Sequence, residues 1–388
     1  MSPAPDVQPF RANVSEVVLA DLRERLAATR WPEPVSGVGW SEGVDPGWLR
    51  RVVGHWETRF DWRIQEARLN AFPQFLVRAG GMRIHCIHQR GRGPRPMPLV
   101  ITHGWPGTVF EMLRLIPLLT DPAAHGGSAQ DAFDVVVPHI PGYGFSERPA
   151  APGTSNSAVA DLWVELMERL GYERFAAQGG DWGAGISTWI ARKAPERLLG
   201  LHLNYIPGSF RPWIENEAAL TDEERGFLAD KAQWLEEEGA YGHIQATRPG
   251  TLGIGLTDSP AGLAAWILEK VRTWSDCDGD VESRFSLDEL LANVTLYWVT
   301  NTAASSIRLY RESKLTPLQL GPRERIQVPM AYSRFPLELP TPPRRWVERG
   351  YDVCRWTEMP RGGHFAAWEE PELLAEDIRE FFRPLRGV

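Results

Sequence analysis

The string Gly179-Gly180-Asp181-Trp182-Gly183 carries the first legible chemistry in this 388-residue chain. It stands between a strand-like run, Tyr172 to Ala177, and a helix-like run, Ala184 to Ala194. Its small residues suit a sharp strand-to-helix turn that displays one side chain. A carboxylate displayed there attacks an electrophilic sp3 carbon and remains as an alkyl ester, whereas a serine would attack an acyl carbon. Taken alone, the string equally suits an aspartate that caps the following helix. Two further strings argue for chemistry. His103-Gly104-Trp105-Pro106-Gly107 follows the apolar run Pro98 to Ile101, as a loop after an early buried strand would. Gly362-Gly363-His364-Phe365 lies between a strand-like segment, Asp352 to Met359, and a helix-like one, Pro371 to Phe382. A histidine held in such a loop can serve as a general base toward water.

The elements that must position these residues alternate between strand-like and helix-like. Phe75 to Arg78 and Met82 to His88 read as a hairpin, and Pro98 to Thr102 and Phe133 to Pro138 as buried strands. Thr108 to Leu119 and Ser157 to Leu170 read as intervening helices, and Leu198 to Asn204 as a further strand. The pattern predicts an α/β fold around a mostly parallel, doubly covered sheet. The order Asp181, an acid, His364 is the nucleophile, acid, histidine order of α/β-hydrolases. In that fold the oxyanion hole takes one backbone N–H from the early loop, here Trp105, and one from the residue after the nucleophile, here Trp182.

With these blocks in place, the chain resembles the microsomal-type epoxide hydrolases, a group that includes fungal and insect juvenile-hormone epoxide hydrolases. The resemblance runs through Asp21-Leu22-Arg23-Glu24-Arg25-Leu26, Thr29-Arg30-Trp31-Pro32, Asp61-Trp62-Arg63 and Leu69-Asn70-Ala71-Phe72-Pro73-Gln74-Phe75. It continues through Thr247-Arg248-Pro249, Asp258-Ser259-Pro260, Leu296-Tyr297-Trp298 and Arg361-Gly362-Gly363-His364-Phe365-Ala366-Ala367, nearly the whole length. It implies Asp181 as nucleophile, His364 as base, and Glu338, in Phe335-Pro336-Leu337-Glu338, as the acid that orients the histidine. Asp352 is the rival acid, but it reads as a solvated strand end. The resemblance also implies Tyr241 and Tyr310 as the pair that meets the opening epoxide oxygen. The implied activity is hydrolysis of an epoxide to a vicinal diol through an aspartyl ester, with no cofactor or metal. A haloalkane dehalogenase-like hydrolase and a hydrolase-fold ligand receptor with little turnover are the alternatives.

The expected organisation is an N-terminal meander over 1–90, a core in two parts over 91–207 and 323–388, and a helical cap over 208–322. Within that cap, Asp222 to Glu238, Pro260 to Trp274 and Leu287 to Thr300 read as amphipathic helices. The string His85-Cys86-Ile87-His88 contains metal-ligand types, but it reads as a strand, and no second ligand cluster accompanies it. A net charge of -8 and a pI near 5.7 argue against nucleic acid. Three cysteines, Cys86, Cys277 and Cys354, fit reduced thiols better than a disulfide framework. Neither a signal-peptide pattern nor an apolar stretch of membrane-spanning length is present, so the expectation is a cytoplasmic protein without a membrane anchor. Oligomeric state stays open. Seventeen tryptophans, with Trp234, Trp274 and Trp298 in the cap, suggest an apolar pocket for bulky or aryl-bearing epoxides. Four lysines against many arginines hint at a GC-rich bacterial genome, and detoxification or tailoring of a secondary metabolite are the two roles that fit.

Overall fold

A computed structural model describes residues 6–33 and 35–387. Nine strands form one sheet in the order β1-β2-β3-β5-β4-β6-β7-β8-β9. They are β1 (Val7–Phe10), β2 (Gln74–Ala79), β3 (Met82–Gln89), β4 (Met97–Thr102), β5 (Phe133–Pro138), β6 (Phe175–Gly179), β7 (Leu198–Leu203), β8 (Ile326–Arg334) and β9 (Tyr351–Glu358). The run β5-β4-β6-β7-β8-β9 is parallel throughout, and β1, β2 and β3 extend it antiparallel at one edge. Edge strand β1 escaped the sequence reading. It is four residues long and carries Pro9, which an edge tolerates because one side of the strand needs no donor.

The central strands are buried on both faces, as their unbroken apolar runs require. Val100, Val136 and Ala177 point into one core cluster, and their neighbours Leu99, Ile101, Val135, Val137 and Ala176 into the other. In chain order, α1 (Glu16–Ala27), α2 (Pro46–Thr58) and α3 (Trp62–Leu69) precede the sheet's hairpin, and α4 (Leu115–Thr120), α5 (Asn156–Arg169) and α6 (Asp181–Lys193) alternate with the core strands. Helices α5 and α6 cover the first face through Val159, Trp163, Ile186 and Ile190. Helix α4 covers the second through Leu115 and Ile116.

Between β7 and β8 the described chain forms helices and no named strand: α7 (Asp222–Glu237), α8 (Ala240–Thr247), α9 (Pro249–Asp258), α10 (Pro260–Trp274), α11 (Leu287–Val299) and α12 (Ala303–Lys314). Reciprocal capping boxes start two of them, Thr221 with Glu224 and Ser286 with Glu289, which satisfies the first unpaired N–H groups of each helix. The chain closes with α13 (Arg344–Glu348), α14 (Ala366–Glu369) and α15 (Pro371–Phe382). Helix α15 lays Leu374, Ile378 and Phe382 on the second face.

The N-terminal strings act as joints. Asn70 exchanges two 2.9 Å hydrogen bonds with the backbone of Ala12, and Trp62 donates to Glu66 at 3.1 Å. Glu282, in the helical insertion, accepts from Trp48 at 3.0 Å and from Arg51 at 2.6 Å. No helix among the described residues is long and apolar enough to cross a membrane.

Three segments depart from the sequence reading. The expected helix over Thr108 to Leu119 is a 3-10 turn, Val109–Met112, followed by the separate α4. The carbonyl groups of Pro106 and Gly107 are taken by Asn293 and Tyr297 of α11 instead of by a growing helix. Strand β6 starts later than expected, because Tyr172 turns aside to donate to Asp134 at 2.7 Å. Helix α6 begins at Asp181 itself.

Candidate active site

In open α/β sheets ligands bind beyond the carboxyl ends of the strands, and the predicted residues gather there. Strands β4 and β6 are neighbours, so the loop holding Trp105 lies against the turn holding Asp181. Strands β8 and β9 are neighbours, so Glu338 and His364, each a few residues past a strand end, meet as well. Between the two pairs runs β7, followed by Asn204 and Tyr205.

Asp181 has φ = 44°, a left-handed conformation that costs a non-glycine residue about 1–3 kcal/mol. Close packing enforces the turn. A Cβ on Gly183 would lie 1.9 Å from the Thr102 carbonyl oxygen, and one on Gly104 would lie 2.4 Å from the Asp181 side chain. The aspartate does not cap its helix, since Gly180 holds the cap position and no side-chain cap bond forms. Instead Oδ1 accepts from the Trp105 N–H at 2.8 Å. The Trp182 N–H belongs to the first turn of α6, where helical N–H groups have no acceptor within the helix. The carboxylate is thus held by one backbone donor, and the next residue along, Trp182, stands in the helix's first turn with its N–H free of an intrahelical acceptor.

His364 is 5% exposed. Its Nδ1 lies 2.5 Å from Glu338 Oε1, and its Nε2 lies 3.7 Å from Asp181 Oδ2. Burial alone would lower the imidazole pKa, but the charges of Glu338 and Asp181 outweigh it and hold it well above its ordinary value. Glu338 is anchored by a 2.7 Å bond from the Leu339 N–H. The histidine loop is tied down by Glu369, which accepts from the backbone of Gly363, Phe365 and Asp276 at 3.0, 2.9 and 2.7 Å. Asp352, the rival acid, sits exposed near the start of β9, at the opposite end of that strand from the histidine loop.

Tyr241 on α8 and Tyr310 on α12 both reach this site. The Tyr241 ring stacks on Trp105 at 5.4 Å, and the Tyr310 ring meets Trp182 edge-on at 4.6 Å. The two phenol rings lie 5.9 Å apart. Burial, and after it the nearby Asp181 charge, raises the Tyr241 pKa. Burial raises that of Tyr310 too, with Tyr241 and then Asp181 adding to it.

Asp181, Trp182, Tyr241 and Tyr310 face a cavity of about 720 Å3 whose remaining wall is largely apolar, with Phe210, Phe227, Trp234, Leu339 and Trp346. Arg211, Lys231 and Lys314 add cations to that wall. Of the tryptophans named for the pocket, Trp234 lines it. Trp274 packs behind Tyr241 at 5.1 Å, and Trp298 lies elsewhere, under the Arg25 guanidinium. Tyr205 also lines the cavity and was missed. Its one sequence signal is its place just past the last strand before the insertion.

The histidines of β3 are already engaged. His85 contacts His139 at 2.8 Å and Gln74 at 2.9 Å, and His88 contacts the Tyr172 hydroxyl at 2.9 Å. Among the described residues no group of three or more His, Cys, Asp or Glu side chains could hold a metal.

Such a sheet, with an aspartate at the strand-to-helix turn and a Glu–His pair beside it, defines an α/β-hydrolase with a carboxylate at the nucleophile position. The comparisons agree. The family described as "Epoxide hydrolase N terminus" matches residues 7–112, and that described as "alpha/beta hydrolase fold" matches residues 97–243. A chain of Stigmatella aurantiaca that carries an epoxide hydrolase name is 46% identical, with 98% of this chain and 86% of that one covered. Epoxide hydrolase 1 of Oryctolagus cuniculus is 38% identical, with 97% and 88% covered. The crystal structure of juvenile hormone epoxide hydrolase from Bombyx mori superposes with a TM-score of 0.86 at 32% identity, covering 99% of this chain and 96% of that one. This chain belongs to the epoxide hydrolases, in their microsomal-type group.

Proposed function

We propose that the protein hydrolyses an epoxide with an apolar, bulky or aryl-bearing body to a vicinal diol, through an ester on Asp181. The observation that carries this reading is the convergence on Asp181 of the two phenols, which share its largely apolar cavity, and of the Glu338–His364 pair, which meets it from a smaller void on its other side.

In the first half-reaction Asp181 Oδ2, the oxygen not held by Trp105, attacks one epoxide carbon. The ring C–O bond breaks, and a phenol of Tyr241 or Tyr310 gives its proton to the departing oxygen. The phenols' raised pKa values make a lasting phenolate unfavourable, so the phenol is reprotonated at the expense of the His364 imidazolium. Ester formation removes the Asp181 charge that helps hold that proton on His364. The histidine is then neutral and competent as a base.

In the second half, His364 takes a proton from water as the water oxygen attacks Cγ of the ester. Charge collects on Oδ1, where the Trp105 and Trp182 N–H groups meet it. Collapse breaks the Cγ–Oδ2 bond, and the diol leaves with that oxygen and the proton from His364. The carboxylic acid left at Asp181 returns its proton to His364, and the sum is epoxide plus water to diol. The helices between β7 and β8 act in this scheme as a cap that carries both phenols, and the N-terminal residues act as a meander that braces it.

Styrene oxide is the probe. Diol formation is expected, and a single turnover with enzyme in excess in ¹⁸O-water should place the label in the Asp181 carboxylate and leave the diol unlabelled. A labelled first-turnover diol would exclude the ester route. One observation favours a second reading, dehalogenation. The Trp182 indole N–H beside the nucleophile is buried and has no partner among the described residues, a donor of the kind a departing halide needs. Halide release from a bromoalkane, faster than diol formation from any epoxide, would select that reading.

A further inference from the structure

Asp181 has a second side. Away from the large cavity it borders a void of about 20 Å3, together with His364, Trp105, Gly107, Gln178 and Glu111. A space of about 10–15 Å3 measured in this way suffices for one water when two to four polar groups face it. Two of the wall's buried oxygens, Glu111 Oε1 and Gln178 Oε1, have no hydrogen-bond partner among the described residues. Buried polar atoms are almost always partnered, so each calls for an explanation.

Glu111 lies in the 3-10 turn directly after the Trp105 loop, and only 6% of it is exposed. Its carboxyl folds back over Gly107 so closely that a Cβ there would fall 1.1 Å from Oε1. Any side chain at position 107 would expel the carboxyl from the void. Burial drives the Glu111 carboxyl up to about 8, with His364 opposing the rise and Asp181 adding to it. The group is therefore within electrostatic reach of both. Neither half-reaction as written above uses it.

We infer that Glu111 is a positioning residue for the hydrolytic half-reaction, its Oε1 holding the attacking water between His364 Nε2 and the Asp181 ester carbon. The inference rests on the ester reading. The water donates one hydrogen to His364 and the other to Glu111, which leaves a lone pair directed at Cγ. Attack forms the C–O bond and sends one proton to His364, and Glu111 neither gains nor loses an atom.

Single-turnover mass analysis of the Asp181 peptide resolves the two halves. Glu111→Met removes the acceptor at similar volume, and Glu111→Gln keeps an acceptor without the charge. Ester formation should stay within about twofold of the unsubstituted enzyme, whereas ester decay should slow by roughly 10²-fold in Glu111→Met, the lower end of the range for a positioned proton acceptor. The loss in Glu111→Gln should be smaller. Decay at the unsubstituted rate, or equal slowing of both halves, overturns the inference and leaves the ester reading intact. Failure to trap any ester, even in His364→Gln, overturns both. Should neither Glu111 variant fold, a high-resolution crystal structure of the unsubstituted enzyme decides. A water within hydrogen-bond distance of both Glu111 Oε1 and His364 Nε2 supports the inference, and a dry void refutes it.

Discussion

The Nε2 atom of His364 stands 3.7 Å from Oδ2 of Asp181, an ion-pair separation too long for a direct hydrogen bond. In the proposed scheme, therefore, Asp181 attacks carbon without help from the histidine, which is needed only for release of the ester. In His364→Gln, alkylation should survive while ester hydrolysis falls by roughly 10²- to 10⁴-fold, the range for loss of a general base. The trapped ester should appear as a mass adduct on the peptide bearing Asp181. A variant that binds the epoxide and shows no adduct would refute this division of labour.

The proposed scheme puts the phenols in the opposite half. Tyr241→Phe and Tyr310→Phe should each slow ester formation by roughly 10²-fold, and the double substitution should nearly abolish it. Ester decay, once the adduct is formed, should be unchanged. If both single variants opened epoxides at the unsubstituted rate in single-turnover assays, neither hydroxyl would be a donor.

Two glycines make a contrasting pair. A Cβ on Gly183 would strike the Thr102 backbone at 1.9 Å, whereas one on Gly250, in α9, meets nothing within 4 Å. Gly183→Ala should lower stability by about 1–3 kcal/mol or more, because backbone on both sides of the Asp181 turn must shift. Gly250→Ala should raise stability by about 0.4–1 kcal/mol by reducing the freedom of the unfolded chain. Equal melting temperatures in the two variants would refute the packing account of the turn.

Asp377 on α15 locks the sheet's far strands. It accepts from Ser333 at 2.5 Å, from Arg355 and Thr357 at 2.7 Å each, and contacts His202 at 3.1 Å. Burial alone would raise its pKa, but the hydrogen bond and charge of His202 and the bonds from Ser333 and Thr357 outweigh it and hold the carboxyl below the ordinary range. A depressed folded-state pKa contributes stability above the unfolded value and loses it as pH falls. The stability gap between the unsubstituted protein and Asp377→Asn, measured by urea unfolding, should be largest near neutrality and shrink below about pH 4, the ordinary carboxylate region. A gap independent of pH would count against the charged network.

By itself the sequence determined the chemistry that local turns can encode. Gly179-Gly180-Asp181-Trp182-Gly183 and His103-Gly104-Trp105-Pro106-Gly107 are strings whose small residues leave the chain few conformations besides a tight turn at a strand end. The buried strands were legible for a similar reason, since a run such as Phe133–Pro138 has no solvent-facing side. The residues that complete the site were not legible in this way. Trp105 and Asp181 are 76 positions apart and Glu338 and His364 are 26 apart, and no local periodicity records that β4 lies beside β6 or β8 beside β9. Resemblance alone had marked Tyr241 and Tyr310, because an aromatic on an amphipathic helix reads the same whether it packs or donates. Glu111 falls inside the expected helix over Thr108 to Leu119 and Glu369 just ahead of the one over Pro371 to Phe382, and neither position carries a local signal of burial. Only the tertiary structure buries them, one over Gly107 and the other beneath the histidine loop, because burial of a carboxylate is decided by what folds over it from distant parts of the chain.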